Sequence, residues 1–335
     1  MGERKTRHIF VTTGTNIHFN LATEKYLIEN FDPESTILFL WKNSPTVVIG
    51  RYQNPWEECR LSVMERDKVA LARRCSGGGA VYQDLGNICF TIICPAHQAD
   101  KTKNFEIVLK ALAMMGIEAT VSGRNDVLVD GRKVSGSAFQ TTQGRFCHHG
   151  TMLISTNLSK LPDYLTPNEH KLQSHGVKSV ASRVANLTEF SPNATTDLFA
   201  SCMAKAFDEQ CPVEVVSEEK MGLYPELRQS FEVFSSKDWN LGKSPKFTNK
   251  LSGRFSGGVV SFYLTVEKGI ITKASIASDA LSTEGVECLP EYLIGLKYDA
   301  IDIKKKADEI EKMDIKEVAF ISGALRLLSD LIEKD

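Results

Sequence analysis

The chain has 335 residues, with 40 Lys and Arg against 42 Asp and Glu and 42% apolar side chains. That length can bury a sizeable core without metal or disulfide support, and it suits a large domain joined to a smaller one. A net charge of -2 excludes the broad basic footprint of a nucleic-acid binder, and no run of about 18 apolar residues is available to span a bilayer.

Residues 20–31 place Leu21, Leu27, Ile28 and Phe31 at helical spacing and stop at Asp32-Pro33, predicting an amphipathic helix. Residues 36–41 and 46–49 are short β-prone runs on either side of Asn43-Ser44-Pro45, which reads as a turn between neighbouring strands. Residues 68–74 and 88–94 are further strands. Between them lies the densest window, Arg73-Arg74-Cys75-Ser76-Gly77-Gly78-Gly79-Ala80-Val81-Tyr82-Gln83. Glycines let backbone approach a ligand closely, successive amides can form an anion nest, and arginine adds a permanently charged fork. The P-loop and dinucleotide fingerprints both fail, because Ala80, Val81 and Tyr82 follow Gly79. The window therefore reads as a phosphate or carboxylate cradle, against the alternative of a glycine-rich turn between two strands.

Residues 104–115 form a core-facing helix by periodicity. In the stretch 123–138, Asp130-Gly131 separates two β-prone runs and predicts a two-residue hairpin turn. That register pairs Val129 with Arg132, Leu128 with Lys133, Val127 with Val134, Asp126 with Ser135 and Arg124 with Ser137. One face then carries Arg124, Asp126, Lys133, Ser135 and Ser137, and the other Val127, Val129, Val134 and Ala138. Asp126 and Lys133 become diagonal neighbours able to share a ligand or ion, unless the face is merely solvated.

Residues 146–155 read as a strand in which Cys147-His148-His149 alternate across the sheet, so the three cannot converge on a metal unaided. Residues 159–183 read as a long surface segment able to act as a lid. Residues 195–210 return to helix, capped by Thr195 or Thr196 with Asp197 in the first turn. Residues 235–258 are turn-rich and mark a domain boundary. Beyond them, 259–266 and 270–276 form a hairpin, and helical patterns occupy 289–296, 303–313 and 315–332. The expected fold is α+β, a large mixed-sheet catalytic domain over 1–248 and a small α+β accessory domain over 249–335. The eight cysteines include no CxxC pair and read as free thiols.

Taken together, Leu38-Phe39-Leu40-Trp41, Asn54-Pro55-Trp56, the arginine-glycine window, Gly123-Arg124-Asn125-Asp126, Lys133-Val134-Ser135-Gly136-Ser137-Ala138, His148-His149-Gly150-Thr151 and the 239–247 linker resemble the lipoate-protein ligase A and lipoyltransferase family. The resemblance covers essentially the whole chain. It implies a fold shared with biotin protein ligases and a two-step reaction: lipoate and ATP give lipoyl-AMP, and the acyl group passes to a lysine of a lipoyl domain. The implied acceptors are acyltransferase subunits of 2-oxoacid dehydrogenases and the glycine cleavage H protein. A monomer in the cytoplasm or the mitochondrial matrix, bound to neither nucleic acid nor membrane, is expected. Carried over residue by residue, Lys133 is the catalytic group contacting the lipoyl carbonyl and the α-phosphate. Arg74, Ser76, Gly77, Gly78, Gly79, Ala80, Val81, Tyr82, Asn87, Asn125, Asp126, Ser135 and Gly136 complete the substrate site, with Asp126 placed to hold Mg2+. Gln83 stands where similar proteins often have histidine, so no proton transfer is assigned to it. A transferase using preformed lipoyl-AMP and a non-catalytic acyl-adenylate binder are the competing readings.

Overall fold

The computed structural model describes residues 6–123, 125–166, 184–242 and 248–333. Arg124, residues 167–183 of the expected lid and residues 243–247 of the linker lie outside the described residues. The strands in chain order are β1 (Arg7–Thr12), β2 (Thr36–Trp41), β3 (Thr46–Ile49), β4 (Ala70–Arg73), β5 (Val81–Gln83), β6 (Asn87–Pro95), β7 (Thr120–Ser122), β8 (Asp126–Val129), β9 (Arg132–Thr142), β10 (Arg145–Leu153), β11 (Val213–Val216), β12 (Asn249–Phe255), β13 (Gly258–Glu267) and β14 (Ile270–Ser278).

Eight of them form one sheet in the order β11-β1-β2-β6-β10-β9-β8-β7. β1 runs parallel to β2 and β11, and the other pairings are antiparallel, so the sheet is mixed as expected. Helices cover both faces. Phe105 and Val108 of Lys101–Met114 and Phe199 and Met203 of Thr196–Asp208 pack on Phe90, Ile92 and Val127. Phe19 and Leu27 of Ile17–Glu29 and Leu227 and Phe234 of Pro225–Ser235 pack on Phe39, Ile93 and Cys147. A strand covered on both faces gains nothing from alternating polarity. Accordingly β6 is buried at every position. The helix Ile17–Glu29 starts where Asn16 accepts the amides of His18 and Phe19 on its side chain.

The predicted turn at 43–45 does not join neighbouring strands. β2 pairs with β1 and β6, whereas β3 lies between β4 and β5 in a separate three-stranded sheet. Asn43 is buried and bridges the two layers, taking a hydrogen bond from Asn20 at 2.9 Å and giving one to Gln83 at 2.6 Å. The boundary segment 235–258 is also more regular than its composition suggests. It contains the helix Lys237–Leu241 and all of β12. The sheet β12-β13-β14 has its own core, where Phe262, Leu264, Leu289, Ile303 and Leu325 meet under the helices Thr283–Leu293, Ala300–Ile310 and Val318–Ile332.

The hairpin corrects the expected register. Asp130 and Gly131 take φ of 48° and 74°, the conformation a two-residue Asp-Gly turn requires. Val129 faces Arg132 and Leu128 faces Lys133, but Val127 then faces Ser135 and Asp126 faces Gly136. Val134 is the extra residue of a β-bulge, and one inserted residue reverses the parity of everything beyond it. Ser135 and Ser137 therefore leave the face of Lys133 and join Val127 on the core side, while Gly136 and Ala138 take their places. On that core side the Ser137 hydroxyl lies 2.9 Å from Nε2 of His148, whose ring packs among Phe90, Phe105 and Phe139.

Burial, with His149 and Lys101 nearby, pulls the His148 pKa down to about 3 from 6.5. Between those values the unfolded chain binds a proton that the folded protein refuses, so stability is lost as pH falls through this window and regained as it rises. His148→Gln should flatten the dependence of urea-unfolding free energy on pH between about 6.5 and 4. An unchanged slope in that variant would place the acid sensitivity elsewhere.

Candidate active site

The chain must cross from β4 to β5 on opposite edges of the three-stranded sheet, and residues 74–80 make the crossing. Much of the backbone oxygen this loop exposes is bound by Arg74. Its Nε donates to Ser76 Oγ at 3.1 Å and Gly77 O at 3.2 Å, its Nη2 to Gly77 O at 2.8 Å and Gly79 O at 2.9 Å, and its Nη1 to Val48 O at 3.2 Å. Arg73 fastens the neighbouring segments in the same way, donating to the carbonyls of Gly50, Arg51, Gln53, Trp239 and Asn240. Burial brings both guanidinium groups down to about 10, which leaves them cationic at neutral pH. The sequence reading aimed Arg74 at an anion; in this arrangement its fork is spent on the loop itself.

Gly78 has φ of 97°, a region that side chains rarely adopt, and its amide donates to Ala280 O at 3.0 Å. Ala280 belongs to the turn after β14, so the C-terminal unit touches the glycine loop directly. A Cβ on Gly77 would overlap the Ala280 carbonyl oxygen, and one on Gly78 would lie 2.8 Å from Arg74 Nη2. Close backbone approach explains Gly77, and the positive φ with the Arg74 guanidinium alongside explains Gly78.

β9 and β10 run alongside the loop. A Cβ on Gly78 would lie 3.9 Å from that of Ala138, which the bulge has turned to this face. On the same face Lys133 Nζ lies 2.7 Å from Asp126 Oδ1, with about a third of each side chain exposed at 35% and 32%. The pair meets as charges, since Asp126 Oδ1 has no hydrogen-bond partner of acceptable geometry. Gly136 leaves space for the ammonium: a Cβ there would sit 2.9 Å from Nζ. A half-exposed ammonium beside a carboxylate can draw two anionic reactants together and hold the charge that develops between them.

A buried hydrogen-bonded chain reaches the loop from behind. His149 Nε2 lies 2.6 Å from Ser76 Oγ and Nδ1 2.9 Å from Glu24 Oε1. Glu24 also accepts from Thr91 at 2.7 Å, and Thr91 from Trp41 Nε1 at 3.2 Å. Burial alone would raise the Glu24 pKa, but His149, Thr91 and Arg74 together hold it below the usual carboxylate value. Cys147 Sγ lies in the same cluster, within 4.8 Å of the Glu24 and His149 ligand atoms. Its thiol is pushed well up by burial, with Glu24 adding to the shift, and Cys75 is raised to about 11, chiefly by burial. His148 points into the opposite core, so the Cys147-His148-His149 run divides between the two faces.

The other expected site residues are distributed as follows. Ala80 and Val81 are half-buried along the loop exit, and Tyr82 packs on Tyr164 with ring centroids 5.5 Å apart. Asn87 is fully buried at the start of β6 with its Oδ1 unpaired. Asn125 clamps the backbone of Ser137 through its own carbonyl at 2.8 Å and Nδ2 at 2.9 Å. Ser135 faces the core and its hydroxyl has no partner. Gln83 is 3% exposed and bound to Asn43, a structural position. Sequence reading missed Glu24. The available signal was its place between Leu21 and Ile28, a carboxylate at i+3 and i−4 on the apolar stripe of a helix.

Residues 16–208 match the profile of the lipoyl protein ligase A/B catalytic domain, and residues 244–321 that of the bacterial lipoate protein ligase C-terminus. A lipoate-protein ligase A from Psychrobacter cryohalolentis is 45% identical over 307 residues, 89% of this chain and 91% of that protein. The crystal structure of P. falciparum LipL1 in complex with lipoate has a TM-score of 0.85 at 31% identity, covering 97% of this chain and 99% of that one. A crystal structure of lipoate-protein ligase A bound with ATP has a TM-score of 0.61 at 26% identity, covering 71% of this chain and 99% of that one. The catalytic-domain match spans more than half of the chain, and six of the eight strands of the large sheet, the glycine loop and the Lys133 face fall inside it. This protein belongs to the lipoyl protein ligase A/B family.

Proposed function

We propose that this ligase activates lipoate with ATP and passes the lipoyl group to a lysine of a protein acceptor, both at the Lys133 face. The observation that carries the reading is the half-exposed Lys133–Asp126 pair on the same face of β9 as Ala138, which adjoins the glycine loop. In the first half-reaction a carboxylate oxygen of lipoate attacks the α-phosphorus of ATP, and the bond to pyrophosphate breaks. Two anions must meet, and the Lys133 ammonium reduces their repulsion and holds the charge gathering on the phosphoryl oxygens. In the second, the acceptor amine attacks the acyl carbonyl and AMP departs, with the same ammonium polarising that carbonyl. No protein nucleophile is required. Cys75 and Cys147 are poorly suited to be one, since burial keeps their thiols protonated.

Mg2+ is the expected companion of ATP. Asp126 would offer it a single carboxylate ligand through Oδ2, since Oδ1 is held 2.7 Å from Lys133 Nζ, while phosphate oxygens and water would supply the remainder. When bound, the ion would neutralise phosphate charge. The acceptors we infer are lipoyl domains of acyltransferase subunits and the glycine cleavage H protein, in keeping with the family. We also infer that the C-terminal unit shifts during the cycle. Ala280 O occupies the Gly78 amide, one of the donors a phosphate or acyl group approaching the loop would use.

Lipoate-dependent exchange of labelled pyrophosphate into ATP tests the first half-reaction, and it should proceed with purified protein. Absence of exchange, with synthetic lipoyl-AMP still labelling a lipoyl domain, would reduce the protein to a transferase; failure of both would leave a binding protein.

Lys133→Ala should slow both half-reactions about a hundredfold, the usual cost of losing one charge-stabilising donor. Its melting temperature should scarcely change, because the side chain is half-exposed and its ion pair is weak in water. Lys133→Arg should not restore full rate, since a planar fork differs in reach from a compact ammonium. Wild-type rates in both half-reactions for Lys133→Ala would remove this lysine from the mechanism.

The shift of the C-terminal unit predicts that limited proteolysis across residues 235–256 differs between free protein and its lipoyl-AMP complex. Identical cleavage in the two states would mean that the Gly78–Ala280 contact persists throughout.

A further inference from the structure

We propose that Glu24, His149 and Ser76 are positioning residues: a buried relay that holds the Arg74 guanidinium in the one orientation that shapes the glycine loop. The inference rests on the ligase reading for its kinetic consequence, but its structural core does not.

With His149 neutral, hydrogen-bond chemistry leaves one proton arrangement along the relay. Arg74 has donors only, so at 3.1 Å Ser76 Oγ must accept from its Nε. The Ser76 hydrogen is then free to go to His149 Nε2 at 2.6 Å; its alternative, Gly77 O, is at 3.4 Å and already takes two bonds from Arg74. With Nε2 accepting, a neutral imidazole carries its hydrogen on Nδ1 and donates to Glu24 at 2.9 Å. From the other side Trp41 Nε1, also a donor only, fixes Thr91 Oγ1 as acceptor, so the Thr91 hydrogen goes to the same Glu24 oxygen. Every donor points toward Glu24, and no member can rotate alone without leaving a buried polar atom unpaired.

Ser76 is fully buried, and the His149 and Glu24 side chains are 9% and 4% exposed. The relay joins the helix Ile17–Glu29, β6 and β10 to residues 74–79. Arg74 is the common member: the Nε that meets Ser76 also binds Gly77 O, and its Nη2 binds Gly77 O and Gly79 O. Cutting the link at His149 or at Ser76 frees the guanidinium to tilt, and the carbonyls and amides of residues 77–80 lose their common orientation. Preorganised loop amides matter for rate because small displacements at a reacting centre are costly.

The experiment uses two cuts of one link. His149→Asn keeps a donor near the Nδ1 position for Glu24 and removes the atom that meets Ser76; Ser76→Ala removes the other partner. Each should lower kcat for pyrophosphate exchange about tenfold or more per folded molecule, with a smaller change in KM for lipoate. The double variant should be no slower than the slower single one, because both remove the same interaction. Amide hydrogen exchange at residues 77–80 should quicken in each variant while β6 and β10 stay protected. His149→Gln, whose longer side chain reaches toward Ser76, should recover part of the loss. Additive rate losses, or unchanged loop exchange in His149→Asn, would overturn the relay. Loss of protection throughout β6 and β10 would show a core role instead and would equally overturn it. If the wild-type protein shows no exchange of pyrophosphate, the ligase reading fails, and amide exchange alone decides the relay.

Discussion

One extra residue in β9 determines which side chains share a face with Lys133. The hairpin turn at Asp130-Gly131 sets the first two pairs, and the bulge at Val134 resets all that follow. Without it, Gly136 and Ala138 would face the core, and Ser135 and Ser137 would crowd the strip beside Lys133. With it, the strip next to the ammonium is nearly free of side-chain bulk, as Gly136 and Ala138 are the two smallest residues of that strand. The same shift sends the Ser137 hydroxyl into the aromatic layer, where His148 is its partner. The buried hydroxyl and His148 Nε2 thus pair with each other, while Nδ1 of the same ring is buried without a hydrogen-bond partner.

Charge in this protein is concentrated where backbone needs it. Arg73 and Arg74 are both below a tenth exposed, yet the donors of each find carbonyl or hydroxyl acceptors, so neither requires a carboxylate in direct contact. A guanidinium used in this way organises irregular chain, because it satisfies carbonyls that a tight crossing cannot offer to a neighbouring strand. Arg73 ties Gly50 to Gln53 and the helix Lys237–Leu241 to the edge of β4; Arg74 ties the glycine loop to β3. Glu24, the buried carboxylate within reach of Arg74, supplies the compensating charge through His149 and Ser76 rather than by direct contact.

The glycine loop stands between two bodies of structure. Its inner side is held by Arg74 and the relay, and its outer side is touched by the turn after β14, where Ala280 O takes the Gly78 amide. Gly77 and Gly78 are therefore constrained by packing as well as by any ligand. A substitution there acts on loop strain, on Arg74 and on the C-terminal contact at once. Lys133 is free of such entanglement, which makes it the cleaner probe of chemistry.

The sequence by itself determined the mixed α+β class, most strand and helix positions, the Asp-Gly turn, and the motifs that place the chain in its family. These are local quantities: periodicity, turn chemistry and residue spacing are read within a dozen neighbours. It also supplied Lys133 and Asp126 as a pair, since the turn alone brings their strands together. Tertiary structure decided what depends on partners distant in the chain. The bulge at Val134 follows from how β9 pairs with β8 on one side and β10 on the other, and no local pattern announces it. β2 and β3 separate because each finds strands from elsewhere. That Arg74 holds the glycine loop was not legible, because its partners are mostly backbone carbonyls, which every sequence contains and none displays. Glu24 gave a faint sign as a carboxylate on an apolar stripe, but its meaning required His149, 125 residues away, to be brought within hydrogen-bonding distance by the fold.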